Sequence, residues 1–328
     1  MAEQKESAKT ASGIAFDYSE VIKGKIILTT GVSPGGLGAA FVHAIAPMQP
    51  GVLILAGRSP AKTQKTALEV QKLSPTTIVH TLEVDFGSLA SVRAAAEVLR
   101  GWTDVPHIDV LVNNAGIGVK PWTITEEGFE LLLVTNHLGP FLFTNLVMSR
   151  LLASQAPRVI NIASDGHIFS PIRFDDPNFR DESVYHTWLA YGQSKTANML
   201  MAISLAEKLG TRRNLQAFSV HPGPVTTNIG VGLDWGQTYQ EMARLYRMLG
   251  FSQGWESDFE FHSPDEGAAT FVYAAFDPDI KSHNGAYLLE CRLGDPWKDC
   301  LRAWGTSSVE AEMLWKLSEK LIRQEFAY

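Results

Sequence analysis

Tyr191 and Lys195 stand four residues apart in the run Ala190-Tyr191-Gly192-Gln193-Ser194-Lys195, a strong helix former. In a helix that spacing sets both side chains on one face. A free tyrosine titrates at about 10, too weak an acid or base for proton transfer at neutral pH. A lysine ammonium one turn away stabilises the phenolate and pulls that pKa toward the working range. The pair alone is common. Its weight comes from its company: Ser164 just past the apolar run Arg158 to Ile162, and Asn136 within Asn136-His137-Leu138-Gly139.

A second constellation is built to hold a ligand. The first strand pattern ends in Thr30-Gly31-Val32-Ser33-Pro34-Gly35-Gly36-Leu37-Gly38, and a helical pattern follows. Glycines there let the backbone turn tightly and bring a pyrophosphate to a helix N-terminus, where free N–H groups and the dipole favour anions. Such turns also occur without ligands, but this one lies between a first strand and a first helix, which raises its weight. The second strand pattern ends in Leu55-Ala56-Gly57-Arg58-Ser59. An NAD site usually places Asp or Glu there, about 20 residues past the glycines. Here Arg58 stands instead, with Ser59 and Lys62 close by. A guanidinium holds a 2′-phosphate bidentately, so NADPH is the expected cofactor, with a ligand-free surface arginine as the alternative. Asp85, past the third strand, either accepts from an adenine amine or caps a helix. Asn113-Asn114-Ala115-Gly116 ends the fourth strand in a turn whose side chains can tie strand ends together.

The elements that must position these residues alternate along the chain. Strand patterns run over Lys25 to Thr30, Val52 to Ala56, Thr77 to Val84, Ile108 to Val112, Arg158 to Ile162 and Leu215 to Val220. Several are nearly continuous in Val, Ile and Leu, as parallel strands buried on both faces require. Amphipathic segments lie between and after them at Leu37 to Ala46, Ala61 to Leu73, Leu89 to Leu99, Glu126 to Leu152 and Tyr191 to Leu209. That order predicts an α/β fold with a doubly wound parallel sheet, a Rossmann fold in a single domain over residues 23–328. Residues 1–22 read as a loose tail, and Val309 to Ile322 as a closing helix. The stretch from Asn228 to Phe261 carries Trp235, Tyr239, Tyr246, Met248, Phe251 and Trp255 among glycines and polar residues. It reads either as a substrate cover or as a helix pair packed on the core.

Composition narrows the class further. The chain has 328 residues, 45% hydrophobic and 19% charged, which suits a globular protein with a large core. Its 28 basic and 35 acidic residues leave a net charge of -7, which argues against bulk nucleic-acid binding. No window approaches the roughly 18 apolar residues of a membrane span. Cys291 and Cys300 match no disulfide framework, zinc or redox motif. A soluble, cytoplasmic protein without a metal is expected. His137, His167, His186 and His221 lie near the motifs, and packing or polar filling is the expected role of each.

With these residues in order, the chain resembles the short-chain dehydrogenase/reductase family from about Lys25 to Leu289. The runs Gly128-Phe129-Glu130, Asn136 to Gly139 and Ala190 to Lys195 look most like the retinol dehydrogenase and WW-domain oxidoreductase branch, which includes oxidoreductases of fungal secondary metabolism. The resemblance implies that Tyr191 exchanges a proton with the substrate oxygen. It implies that Lys195 lowers the Tyr191 pKa and holds the nicotinamide ribose, that Ser164 hydrogen-bonds the carbonyl, and that Asn136 supports a water-linked proton relay to Lys195. Gly31, Gly36 and Gly38, with Ser33 and Leu37 in the same loop, would line the pyrophosphate. Asp85 would meet the adenine, and Asn113 with Ala115 the adenosine side. Val225 and Thr227 of Pro222-Gly223-Pro224-Val225-Thr226-Thr227 would meet the carboxamide. The implied activity is interconversion of a carbonyl and an alcohol; Arg58 makes NADP(H) the expected cofactor and the reductive direction the expected one, and the aromatic content of residues 228–261 points to a bulky hydrophobic small molecule. Relatives that have become epimerases, dehydratases or cyclases, and a non-catalytic dinucleotide sensor, are the alternatives. Two departures stand out. The glycine loop is one residue longer than usual, with Gly35 expected to absorb the extra residue. The stretch from Asp165 to Trp188 is also longer than in compact members, so a monomer or homodimer is expected rather than a tetramer.

Overall fold

The computed structural model describes residues 9–227, 234–250 and 261–328. Eight strands form one sheet in the order β3-β2-β1-β4-β5-β6-β7-β8. They are β1 (Ile26–Thr30), β2 (Val52–Gly57), β3 (Ile78–Glu83), β4 (Val110–Asn113), β5 (Arg158–Ile162), β6 (Gln216–His221), β7 (Tyr287–Leu289) and β8 (Arg292–Leu293). All pairings are parallel except β7 with β8, which is antiparallel. Strand order reverses between β1 and β4, the switch point where such sheets open a crevice for ligands.

The central strands are apolar throughout because both of their faces are covered. Ile26 and Leu28 of β1 face a core that holds Val92, Phe141, Met201 and Trp315, whereas Ile27 faces a second core with Phe41, Val70 and Phe271. The helices of the first face are α5 (Leu89–Gly101), α7 (Gly139–Leu146), α9 (Thr187–Arg213) and α13 (Ser308–Ile322). On the second face lie α1 (Ala11–Asp17), α3 (Leu37–Ile45), α4 (Pro60–Leu73) and α12 (Ala269–Phe276). The shorter α2 (Ser19–Ile22), α6 (Leu131–Leu133), α8 (Met148–Leu151) and α11 (Pro264–Gly267) join them, and α10 (Trp235–Met248) stands over the sheet's C-terminal edge region. Among the described residues, no helix is long and apolar enough to cross a membrane.

Two expectations from the sequence need correction. Residues 9–22 are not a loose tail. Ala11, Ala15 and Ile22 are fully buried in the second core, Ser12 donates to the Asp265 carboxylate from both its amide and hydroxyl, and the Tyr18 hydroxyl donates to Asp277 at 2.5 Å. Small residues at one face let this short helix dock without a long apolar stripe. Residues 1–8 lie outside the described residues. The helix expected from Glu126 starts at Leu131 instead, because Gly128 turns the chain at φ +85° and the Glu130 carboxylate caps the Leu132 and Leu133 amides. It is then interrupted by a π turn at Val134–Leu138 and a break at Val147. Of the segment expected as either substrate cover or core packing, the described part packs on the body of the protein and borders a cavity. Met242, Leu245 and Tyr246 of α10 pack on Ile168, Phe169 and Trp188, while Tyr239 and Met242 line a cavity. Phe251 and Trp255 lie outside the described residues.

The long segment after Ser164 and the C-terminal helix together enclose α9. Ile172 packs with Ala197, Leu200, Ala311 and Leu314. The Gln193 amide ties the segment down, accepting from Arg173 N–H at 2.9 Å and donating to the Pro177 carbonyl at 2.9 Å. From the other side Ser204 donates to the Ala311 carbonyl, and Lys208 pairs with Glu312. The helix that carries Tyr191 and Lys195 is therefore fixed along its length.

Candidate active site

Helix α9 starts at Thr187, where the His186 imidazole accepts the Trp188 amide. Tyr191 and Lys195 fall in its first turns and face the open end of β5. The Lys195 ammonium donates to the Ile162 carbonyl at 3.0 Å, and the Asn198 amide shares that oxygen at 2.9 Å. Lys195 Nζ lies 5.5 Å from the centre of the Tyr191 ring. Ser164 leaves β5 as the cap of a 3-10 turn, Asp165–Phe169. Its hydroxyl accepts the Gly166 amide at 3.0 Å and donates to Asp165 Oδ1 at 3.0 Å. Glycine is required at 166, since a Cβ there would stand 2.8 Å from Tyr191 Cε1. That close approach sets the serine and tyrosine side by side.

Asn136 reaches the same place from the π turn. Such single-turn insertions recur at functional sites. Its amide donates to Ser194 Oγ at 3.0 Å and the Ile117 carbonyl at 3.1 Å, and its oxygen accepts the Ile117 amide at 2.8 Å. Gly116 separates Asn136 from Lys195, because a Cβ at 116 would meet Asn136 Oδ1 at 3.1 Å and Lys195 Nζ at 3.8 Å. The structure thus brings Ser164, Tyr191, Lys195 and Asn136 together.

The electrostatics differ from the sequence expectation in one respect. Burial pushes the Tyr191 phenol up to about 12, opposed by the Ser164 hydroxyl and assisted by the nearby Asp165 charge. Burial also lowers the Lys195 ammonium to about 8. The phenol's own burial outweighs the Ser164 hydrogen bond.

Tyr191, Lys195 and Ser164 open onto a cavity of about 190 Å³. Its far walls are Val119, Trp188, Tyr239, Met242 and Phe261, and Val225 and Thr227 border it. A second cleft, of about 350 Å³, is lined by Gly31, Ser33, Gly36, Leu37, Arg58, Asp85, Ala115 and Thr227, with Ser59 and Lys62 beside Arg58. Leu37, Asn114, Gly116, Gly118 and Thr227 border both, so the two are continuous. Helix α3 begins at the cleft with no side-chain cap on its first amides, which leaves them to an anion. Gly35 takes φ +77°, so the added residue of the loop sits in a left-handed turn and leaves Gly36 at the helix start. Arg58 is exposed next to the N-terminus of α4, a second place that favours negative charge. Asp85 uses one carboxylate oxygen on the Gly87 amide and keeps its other for the cleft. Glycine loop, uncapped helix start and clustered cations fit a nicotinamide dinucleotide.

Two of the expected cofactor residues do not reach the cleft. Asn113 is buried, its amide donating to Thr144 Oγ1 and Asn161 Oδ1 at 2.9 Å each, and the neighbouring Asn114 lines the cleft instead. Gly38 is a packing glycine, since a Cβ there would stand 2.6 Å from Asn114 Nδ2 and 2.7 Å from the Gly31 carbonyl. Asn114, Trp188, Asp165 and His221 line the site without having been singled out for it by sequence. Of the other histidines, His137 is a core residue bonded to Ser318, and His186 caps α9. His167 holds the Ser164 carbonyl at 2.8 Å and accepts the Arg302 amide at 3.4 Å.

Residues 25–173 match the family model described as short chain dehydrogenase. Over 307 residues the chain is 31% identical to retinol dehydrogenase 11 of Mus musculus, covering 92% of this chain and 87% of that protein. It is 33% identical over 303 residues to the short-chain dehydrogenase/reductase prx1 of Penicillium roqueforti, covering 89% and 82%. Among solved structures, an uncharacterized protein of Mycobacterium paratuberculosis superposes with a TM-score of 0.71 at 29% identity, over 96% of this chain and 98% of that one.

Proposed function

The chain belongs to the short-chain dehydrogenase family, in its retinol dehydrogenase-like branch, and on that premise we propose that it is an NADPH-dependent reductase of ketones or aldehydes on a bulky, apolar molecule. One observation carries the reading. A single continuous cleft leads from the uncapped start of α3 and Arg58 to the Ser164, Tyr191 and Lys195 side chains.

When bound, the dinucleotide supplies a hydride from its nicotinamide ring. The chain's own residues do the rest. Gly31, Ser33, Gly36 and Leu37 would hold its pyrophosphate, Asp85 and Ala115 would face the adenosine, and Val225 and Thr227 would fix the carboxamide. Arg58, with Lys62, takes the 2′-phosphate. The Ser164 hydroxyl turns its proton from Asp165 Oδ1 to the substrate carbonyl oxygen. Tyr191 gives that oxygen its proton as the carbonyl carbon accepts the hydride, and the product is the alcohol. The phenolate left behind is reprotonated from Lys195 through the Asn136 relay. Val119, Trp188, Tyr239, Met242 and Phe261 support the apolar substrate class.

The test is calorimetric titration with NADPH and NADH, repeated on Arg58→Ala. Loss of charge-assisted bonds to the phosphate weakens NADPH binding roughly tenfold to a hundredfold and leaves NADH binding unaltered. Equal affinity of the unmodified protein for both cofactors removes Arg58 from the site. Stoichiometric loss of NADPH absorbance with alcohol formation separates net reduction from epimerase or dehydratase chemistry.

A further inference from the structure

We propose that Asp165 and His221 form a polar anchor in the substrate cavity for a hydroxyl group carried close to the reacting carbonyl, so that the preferred substrate is a hydroxyketone. The inference rests on the reductase reading above and names its substrate class.

Both side chains line the cavity that also holds Ser164, Tyr191 and Lys195. The Asp165 amide donates to His221 Nδ1 at 3.3 Å, so the neutral ring carries its proton on Nε2. That nitrogen lies 3.9 Å from Asp165 Oδ2, too far for a direct hydrogen bond, and a hydroxyl set to one side of the pair can reach both. The carboxylate's other oxygen already accepts from Ser164. An acceptor and a donor thus stand next to each other on the cavity wall. A ligand group that donates and accepts satisfies both. A second carbonyl would turn its lone pairs on the carboxylate, and an ammonium would face the Nε2–H with no acceptor. A hydroxyl fits.

Helix capping does not account for the carboxylate. The 3-10 turn that begins at Asp165 is capped by the Ser164 hydroxyl, not by Asp165. The Asp165 side chain is 45% accessible, with Trp188, Val119 and Met242 among the other walls of the same cavity. An apolar ketone bound there strips water from the carboxylate and returns no hydrogen bond, a cost that a hydroxylated substrate avoids. Because Asp165 follows Ser164 in the chain and its carboxylate stands within hydrogen-bond distance of the Ser164 hydroxyl, a hydroxyl anchored there lies close to a carbonyl that Ser164 engages.

The experiment compares acetophenone with α-hydroxyacetophenone, and benzylacetone with its β-hydroxy derivative, as kcat/KM ratios under saturating NADPH. The unmodified enzyme favours the hydroxylated member of at least one pair by roughly tenfold to a hundredfold. Asp165→Asn replaces the acceptor with a donor. His221→Asn keeps an acceptor for the Asp165 amide and removes the Nε2–H. Each brings the ratio toward one, whereas general damage to the fold lowers both members of a pair and leaves their ratio alone. A ratio near one in both pairs, or a ratio unchanged in both variants, overturns the anchor while the reductase reading stands. If none of the ketones is reduced with either cofactor, the reductase reading falls and the anchor with it.

Discussion

The pH dependence of the two reaction directions follows from Tyr191. Its phenol is pushed up to about 12 by burial, two units above the ordinary value of about 10, which corresponds to about 3 kcal/mol against the phenolate. At neutral pH only about one molecule in 10⁵ then carries a phenolate. Tyr191 therefore waits fully loaded with the proton that reduction consumes. Oxidation of an alcohol needs the phenolate and gains about tenfold in rate for each pH unit. Lys195, lowered to about 8 by its own burial, is an ammonium below that pH and loses its charge above it. Initial rates of ketone reduction and alcohol oxidation, measured from about pH 6 to about pH 10, separate these terms. The expected reduction profile is flat up to about pH 8 and changes only there, while oxidation climbs steadily. A phenolate absorbance titration of the protein against its Tyr191→Phe variant reads the same group directly. An oxidation rate that levels off near neutrality, with phenolate already formed there, would show that the lysine governs the phenol after all.

Two further outcomes concern stability. His137 and His167 are buried neutral, lowered by burial to about 3 and about 4. Their folded pKa values lie below the unfolded one, so the stability they contribute is complete above about pH 6.5 and is lost as pH falls; by about pH 5 each costs about 2 kcal/mol. Urea midpoints at neutral and mildly acid pH should show that loss roughly halved in His137→Gln, and an unaltered acid slope in that variant contradicts the assignment. Trp315 is fully buried in α13, 4.8 Å edge-on to Phe141 with its indole N–H on Glu319 at 3.0 Å. Trp315→Ala should cost about 3–5 kcal/mol by denaturant titration, and a loss below about 1 kcal/mol would mean that α13 is not part of the cooperative fold.

Much of this was legible from residue patterns because the pattern and the burial have one cause. A strand covered on both faces reads as an unbroken apolar run, and β1, β2 and β5 were found to within a residue or two for that reason. β7 is only three residues long and offers no such run. The π turn at Val134–Leu138 inserts a residue without disturbing apolar composition, so Asn136 was identified while its element was drawn as one long helix. Asn113 and Asn114 were equally eligible as neighbours of the cleft. Strand parity does not separate them, since Leu111 packs in the first core and Val110 and Val112 in the second; what holds Asn113 is its pair of bonds to Thr144 and Asn161 on distant parts of the chain. His221 was set aside because its meaning lies in Asp165, 56 positions away, a distance only the fold closes.

The arrangement separates what must be fixed from what must vary. Ser164, Tyr191, Lys195 and Asn136 are each held by backbone or side-chain bonds that need no ligand, and α9 is wrapped by the segment after Ser164 and by α13. His167 extends this to the end of the chain, since it holds the Ser164 carbonyl while its own carbonyl accepts the Trp304 indole N–H at 3.0 Å. Proton transfer needs that rigidity, because a displacement of about 1 Å between donor and acceptor costs about 10²-fold in rate. Apart from Trp188 on α9, the apolar walls of the cavity come instead from Val119, α10 and Phe261, outside the strands of the sheet. Substitutions there can reshape the pocket without moving the reacting groups, which is how one scaffold serves many substrates. Asp165 and His221 sit on the boundary, since they belong to the fixed frame through Ser164 and to the pocket through their exposed faces. A specificity residue in that position constrains where a substrate's polar group must lie relative to its carbonyl, and not merely how large the substrate is.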